Sequence, residues 1–135
     1  MTTDRSVNGF HHAALKVADF DRVVDFYRTG LGFTERISWG EGDGRAVMLD
    51  AGNGNYLEVF AGGKDAAAEG SVLHLAFRTE NCDAALVRAV QAGARVTVEP
   101  KDVTIPSRPE PTPVRIAFCL GLAGEVIEFF QNEKT

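Results

Sequence analysis

The chain has 135 residues, 44% hydrophobic and 24% charged, which suits one ordinary soluble domain or two very small modules. Its net charge of −5 gives no electrostatic reason to expect nucleic acid or an anionic membrane as partner. No apolar run nears the roughly 18 residues of a membrane helix, MTTDRSVNGF has no signal-peptide core, and Cys82 and Cys119 make neither a CxxC nor a disulfide framework, so the expected setting is reducing and cytoplasmic.

From Gly9 to Val17 the pattern predicts a strand, with Ala13, Leu15 and Val17 on one face and His12, Ala14 and Lys16 on the other. Asp19 is an N-cap candidate, and Val23, Val24, Phe26, Tyr27 and Leu31 recur at helical spacing before Gly30 or Gly32 stops the helix. Three strands are expected near Thr34–Trp39, Ala46–Asp50 and Tyr56–Phe60, parted by GEGDG and by a hairpin at Asn53-Gly54. GEGDG lacks the strand-to-helix context and the Lys-Ser/Thr ending of a phosphate loop, and reads as a turn. Residues 61–70 read as a linker. The order then restarts: a strand at Ser71–Thr79, a helix capped by Asn81 and ended by Gly93, and a strand near Arg95–Val98. All five prolines lie between Pro100 and Pro113, which predicts a long loop there, either a lid or a stiff surface excursion. Strands near Val114–Leu120 and Glu125–Gln131 close the chain.

The restart is a repeat. At a shift of 62, HHAALKVADFD falls on LHLAFRTENCD, so His12 meets His74, Lys16 meets Arg78 and Asp21 meets Asp83. At a shift of 70, RAVMLDAGNGNYLEVF falls on RIAFCLGLAGEVIEFF, so Arg45 meets Arg115 and Glu58 meets Glu128. The eight-residue difference is an insertion that fits the proline-rich segment. Two βαβββ modules follow, over residues 7–62 and 71–131, related by a pseudo-twofold. The expected fold is α+β: eight strands curled into an open cup, with a helix packed outside each half. Modules this small need to pack on each other or across a homodimer.

Each module carries one His on its first strand and one Glu on its last. Glu128 sits inside GEVIEFF, a strand apolar on both faces, where an unpaired carboxylate would cost several kcal/mol. A lysine or arginine, a raised pKa, open water or a metal could hold it. Alternation places Tyr56, Glu58 and Phe60 on one face, and Val126, Glu128 and Phe130 likewise. If first and last strands are neighbours, His12, Glu58, His74 and Glu128 converge, and a divalent cation would cancel their charge. Mixed nitrogen and oxygen ligation suits six-coordinate zinc, nickel, cobalt, iron or manganese, leaving two positions for a substrate with adjacent oxygens. The competing reading is a vestigial site in which Lys16 or Arg78 neutralises the acids. His11 has the opposite parity to His12 and reads as structural or partly exposed.

HHAALKVADFDRVVDFYRTGLGF, NYLEVF, LHLAFR and GEVIEFF together resemble the vicinal oxygen chelate superfamily, over about residues 8–131. The set His12, Glu58, His74 and Glu128 is most similar to glyoxalase I. That resemblance implies a zinc or nickel site and a lyase or isomerase in which Glu58 or Glu128 moves a proton beside a chelated carbonyl. Two glutathione contacts of glyoxalase I are replaced here, by Lys16 and Gly62. A metal-free drug-binding protein of the bleomycin-resistance type, an epimerase and an extradiol dioxygenase are the alternatives. For the small-molecule substrate, Lys16 and Arg78 (with Arg115 nearby) are candidate anion contacts, and Tyr56, Phe60, Phe118 and Phe130 candidate pocket walls. Trp39 is placed no closer than the rim. Cys82 and Cys119 have apolar repeat partners and read as buried, inert thiols.

Overall fold

Strand β1 (His12–Lys16) leads into helix α1 (Phe20–Asp25), capped by Asp19, whose carboxylate accepts the Arg22 amide at 3.3 Å. A π-helical turn over Phe26–Gly30 extends α1, and the Leu31 amide donates to the Phe26 carbonyl. Strands β2 (Thr34–Trp39), β3 (Ala46–Gly52) and β4 (Asn55–Phe60) follow. Asn53 and Gly54 both have positive φ, 54° and 75°, as a type I′ hairpin requires. GEGDG forms one 3₁₀ turn at Gly42–Gly44, leading into a strand and not a helix. The second half repeats the order as β5 (Leu75–Arg78), α2 (Cys82–Gln91), β6 (Arg95–Ile105), β7 (Thr112–Leu120) and β8 (Val126–Gln131). Asn81 caps α2 by accepting the Ala84 amide at 3.0 Å. This computed structural model describes residues 12–64, 74–107 and 109–133; His11, most of the linker and the outer ends of the first strand of each half lie outside them.

The eight strands form two four-stranded sheets of identical order, β1-β4-β3-β2 and β5-β8-β7-β6. In each, the first strand runs parallel to the last and the other pairings are antiparallel. These are paired βαβββ units in an open arrangement, without a continuous eight-stranded ladder among the described residues.

The expected loop over Pro100–Pro113 is corrected. β6 runs on to Ile105 and β7 begins at Thr112, so most of that segment is a long hairpin, with only residues 106–111 between the strands. Proline is tolerated here for a positional reason. Pro100 sits in the irregularity between Val98 and Lys101, on an edge strand. Pro113 pairs with Thr104 on one side, before β7 begins pairing β8 at Arg115.

One apolar core serves both halves. Val17, Val23, Phe26, Tyr27, Leu49 and Leu57 from the first belong to the same cluster as Cys82, Leu86, Ala89, Cys119 and Ile127 from the second. The seam passes between the helices. Tyr27, fully buried, donates its hydroxyl to Glu125 at 2.5 Å, and its ring meets Phe33 and Phe77. Burial and the Glu125 carboxylate together raise the Tyr27 phenol well above its usual pKa. Gly30 and Ala92, equivalent positions of the repeat, meet across the seam: a Cβ on Gly30 would lie 2.5 Å from the Ala92 Cβ.

The repeat also explains two ion pairs. Arg45 reaches Asp21 at 3.1 Å, and its repeat mate Arg115 reaches Asp83, the mate of Asp21, at 2.7 Å. Each ties a helix N-terminus to the third strand of its own half. Arg115 also pairs with Asp102 at 3.2 Å, so its charge is engaged in these contacts and it is not a metal-side cation.

Gly30→Ala will destabilise the protein by about 1–3 kcal/mol through overpacking. Ala92→Gly in the same background will recover most of that loss, as read by urea unfolding of both single variants and the double. Cys82 and Cys119 are fully buried, and burial raises both thiols, Cys119 to about 11. At pH 8 neither thiol will react with Ellman's reagent until urea unfolds the chain.

Candidate metal centre

Alternation on β1 and β4 separates two kinds of side chain. Leu57 and Val59 are buried toward α1, as are Val47 and Leu49 on β3. Tyr56, Glu58 and Phe60 point to the opposite face, level with His12, Ala14 and Lys16 on β1. The second half copies this on β8: Glu128 is level with Ala76 on β5 and Phe118 on β7, and Phe130 with Arg78 and Ile116.

Two acid–imidazole pairs result. His12 Nε2 lies 3.6 Å from Glu58 Oε1, and His74 Nε2 lies 3.3 Å from Glu128 Oε1. Both glutamates are buried at 8% exposure, whereas both imidazoles are 39% exposed. His74 is held edge-on against Phe118, with ring centroids 5.7 Å apart. Burial raises the Glu128 carboxyl above its ordinary pKa, and the nearby His74 partly opposes the shift. Among the described residues, neither Lys16 nor Arg78 forms an ion pair with either acid. The opening alternatives for Glu128 therefore narrow to its imidazole, a raised pKa and a cation.

The donor set fits a divalent metal. Two atoms each about 2.1 Å from one cation, at an angle of about 90–110°, lie about 3.0–3.4 Å apart. The two His–Glu separations are close to that range. Ala14 and Ala76, mates in the repeat, flank the two glutamates on the neighbouring strand. Small side chains there leave room above each carboxylate. The signal was present in the sequence, since the shift of 62 pairs the two alanines.

Each imidazole meets the acid of its own half, but one chain does not bring the two pairs together. Among the described residues no three His, Cys, Asp or Glu side chains are grouped to hold a metal. The physical reason is the shared core: Val47, Leu49, Leu57, Val59, Ile127 and Phe129 turn into it, so alternation puts Glu58 and Glu128 on the other face of each sheet. A cleft of about 830 Å³ between the halves is lined by His12, Tyr56 and Arg78 together with Leu57, Phe77 and Phe129, and does not include Glu58 or Glu128.

The substrate candidates divide between the two faces. Tyr56 and Phe60 lie on the face of Glu58, while Phe118 and Phe130 lie on that of Glu128, all half-buried. Lys16 and Arg78 are exposed at the ends of β1 and β5. Gly62 is a backbone requirement: its φ is +82°, and an added Cβ would lie 2.8 Å from the Asp43 carbonyl oxygen.

A family profile described as "Glyoxalase/Bleomycin resistance protein/Dioxygenase superfamily" matches residues 9–109. No curated protein matches in sequence. Among solved structures, the chain is similar to a glyoxalase/dioxygenase from Nostoc punctiforme, with 19% identity, a TM-score of 0.74, and 99% of this chain and 97% of that one covered. It is also similar to TnmS3, an antibiotic binding protein from Streptomyces sp. CB03234, with 21% identity, a TM-score of 0.66, and 96% and 99% covered. A glyoxalase family protein from Enterococcus faecalis gives 17% identity and a TM-score of 0.70, with 91% and 97% covered. At these identities the likeness to solved structures concerns the fold alone. The repeated βαβββ order, the parallel first and last strands of each sheet and the profile match over most of the chain place this protein in the glyoxalase/bleomycin resistance protein/dioxygenase superfamily.

Proposed function

We propose that the protein is a metal-dependent lyase or isomerase of glyoxalase I type, with His12, Glu58, His74 and Glu128 as ligands. The observation that carries this reading is the duplicated, buried glutamate with an imidazole nitrogen 3.3–3.6 Å away and, among the described residues, no lysine or arginine paired to it. In this reading a homodimer completes each centre, with the His12–Glu58 face of one chain opposed to the His74–Glu128 face of its partner. The separation of the two pairs within one chain supports that arrangement.

A bound divalent ion of the zinc or nickel kind would act as a Lewis acid toward adjacent substrate oxygens. The chain supplies the rest. His12 and His74 supply imidazole nitrogens, with the His74 ring braced by Phe118. Glu58 or Glu128 takes a proton from the carbon beside the carbonyl and returns it to the neighbouring carbon. The desolvation that raises Glu128 brings its basicity nearer to that task. Lys16 and Arg78 bind an anionic group of the substrate. The replaced glutathione contacts, and the loop that excludes a side chain at Gly62, support a substrate other than a glutathione adduct. The second reading, a metal-free small-molecule binder, draws support from the fold shared with TnmS3 and from the aromatic side chains on both faces.

Protein purified without a metal-affinity tag, loaded with zinc or nickel and dialysed, will retain near-stoichiometric metal. Glu58→Gln and Glu128→Gln will each lose it, and mixing and refolding the two variants together will recover part. Recovery requires a centre shared between chains; no recovery would place each centre within one chain. Retention by neither metal would leave the binder reading.

Thermal unfolding gives a second check through a change of sign. A carboxyl raised in the folded state costs stability once the pH passes its ordinary unfolded value, about 4.3. In the metal-free protein at pH 7, Glu128→Gln will therefore melt no lower than wild type, and about 1–3 °C higher. At pH 4 that advantage will vanish. With metal bound, the order will reverse and wild type will melt higher.

A further inference from the structure

A histidine that ligates a metal is ordinarily oriented through its second ring nitrogen, which donates to a carboxylate, a carbonyl or water. His74 is held differently. Its Nε2 lies 3.3 Å from Glu128 Oε1, and among the described residues no hydrogen bond to protein engages its Nδ1. The ring meets Phe118 instead, with centroids 5.7 Å apart and planes 87° apart. His74 lies one residue before β5, outside the paired register of that strand. Phe118 comes from β7, level with Glu128 on β8, and β8 separates β7 from β5. The two rings therefore meet over the strand that carries the acid. The repeat keeps the ligands but not this neighbour: Met48 is level with Glu58 where Phe118 is level with Glu128.

Resting on the metal reading, we propose that Phe118 is a positioning residue: it takes the place of the usual hydrogen bond and keeps His74 Nε2 turned toward Glu128, so that packing preorganises this pair for a cation. The physical reason is entropic. An imidazole 39% exposed, at the start of a strand, has several rotamers open to it, and ordering it only when the ion binds weakens binding. An edge-on aromatic neighbour restricts the ring beforehand and adds an attraction beyond buried area. Methionine, unbranched and with three rotatable bonds, occupies the equivalent place in the first half without presenting a rigid plane. The two halves thus share their ligands and differ in how one flank of the acid is built. Phe118 acts through His74 and has no part in moving the proton.

The test uses the full chain, purified without a metal-affinity tag, and zinc alone as the probe, in competition with a chromophoric chelator. Phe118→Leu will weaken zinc binding about three- to tenfold, the scale of one aromatic pair, and Phe118→Tyr will keep the wild-type affinity. Phe118→Met, which imports the residue of the first half, will weaken it likewise and replaces the leucine variant should that one not fold. In a His12→Ala background Phe118→Leu will have its full effect; in a His74→Ala background, with the ring it positions removed, its effect will fall below about twofold. A second readout needs no metal. In proton–carbon spectra of the stripped protein, the His74 Cε1–H signal, assigned by its loss in His74→Ala, will move to the position of a freely rotating imidazole in Phe118→Leu and stay in place in Phe118→Tyr. Zinc bound by Phe118→Leu and Phe118→Met as tightly as by wild type would overturn the proposal alone. So would weakening that is equal with and without His74. Wild-type protein that takes up no zinc would overturn the metal reading, and this proposal with it.

Discussion

The architecture depends on one constraint: two small modules share a single core, and their helices fill it. Gly30 against Ala92 sets how closely the helices approach, and Tyr27 bonded to Glu125 locks the seam with a buried polar contact. A Tyr27 hydroxyl left unpaired in that place would cost about 1–3 kcal/mol, so the contact specifies the seam as well as stabilising it. Once one face of each sheet is committed to this core, the period of two along every strand commits the alternate residues to the other face. Glu58 and Glu128 follow from that commitment, each next to residues fully sequestered on the opposite side.

The same constraint shapes the chemistry. Each half offers an imidazole and a buried acid, with a small residue beside the acid, and neither half offers a complete centre. Glu128 carries the strain of this arrangement, since burial raises its pKa and only a partly exposed histidine stands near it. Under the proposed function, a cation shared between facing halves would resolve the desolvation, and this is why a homodimer belongs to that proposal. Among the described residues, Arg45 and Arg115 hold helix N-termini, and Lys16 and Arg78 sit at strand ends without an ion pair to either acid.

Features outside the repeat give this chain its individuality within the superfamily. The insertion lengthens the β6–β7 hairpin and has no counterpart in the first half. Gly62, at positive φ against the Asp43 carbonyl, leaves no room for a side chain. Trp39 extends the apolar face of the first sheet to its outer edge. These features lie around the acid–imidazole pairs and leave the pairs themselves symmetric between the halves.

Much of this was legible in the sequence because it is local or repeated. Periodicity placed the strands and helices, Asn53-Gly54 announced its hairpin, Asp19 and Asn81 announced their caps, and the two shifts matched His12 with His74 and Glu58 with Glu128. The same shifts held the Arg–Asp pairs and Ala14 with Ala76, although their roles emerge only when strand neighbours are known. The proline-rich segment misled, because prolines confined to a bulge and to a strand end look, in one dimension, like a loop. What the sequence alone determined is which residues share a face, since alternation is a property of the chain. Which faces meet was decided only by tertiary packing, because the choice of what lies against a sheet depends on how the helices fit across the seam. That packing turned one expected four-ligand cluster into two separate pairs.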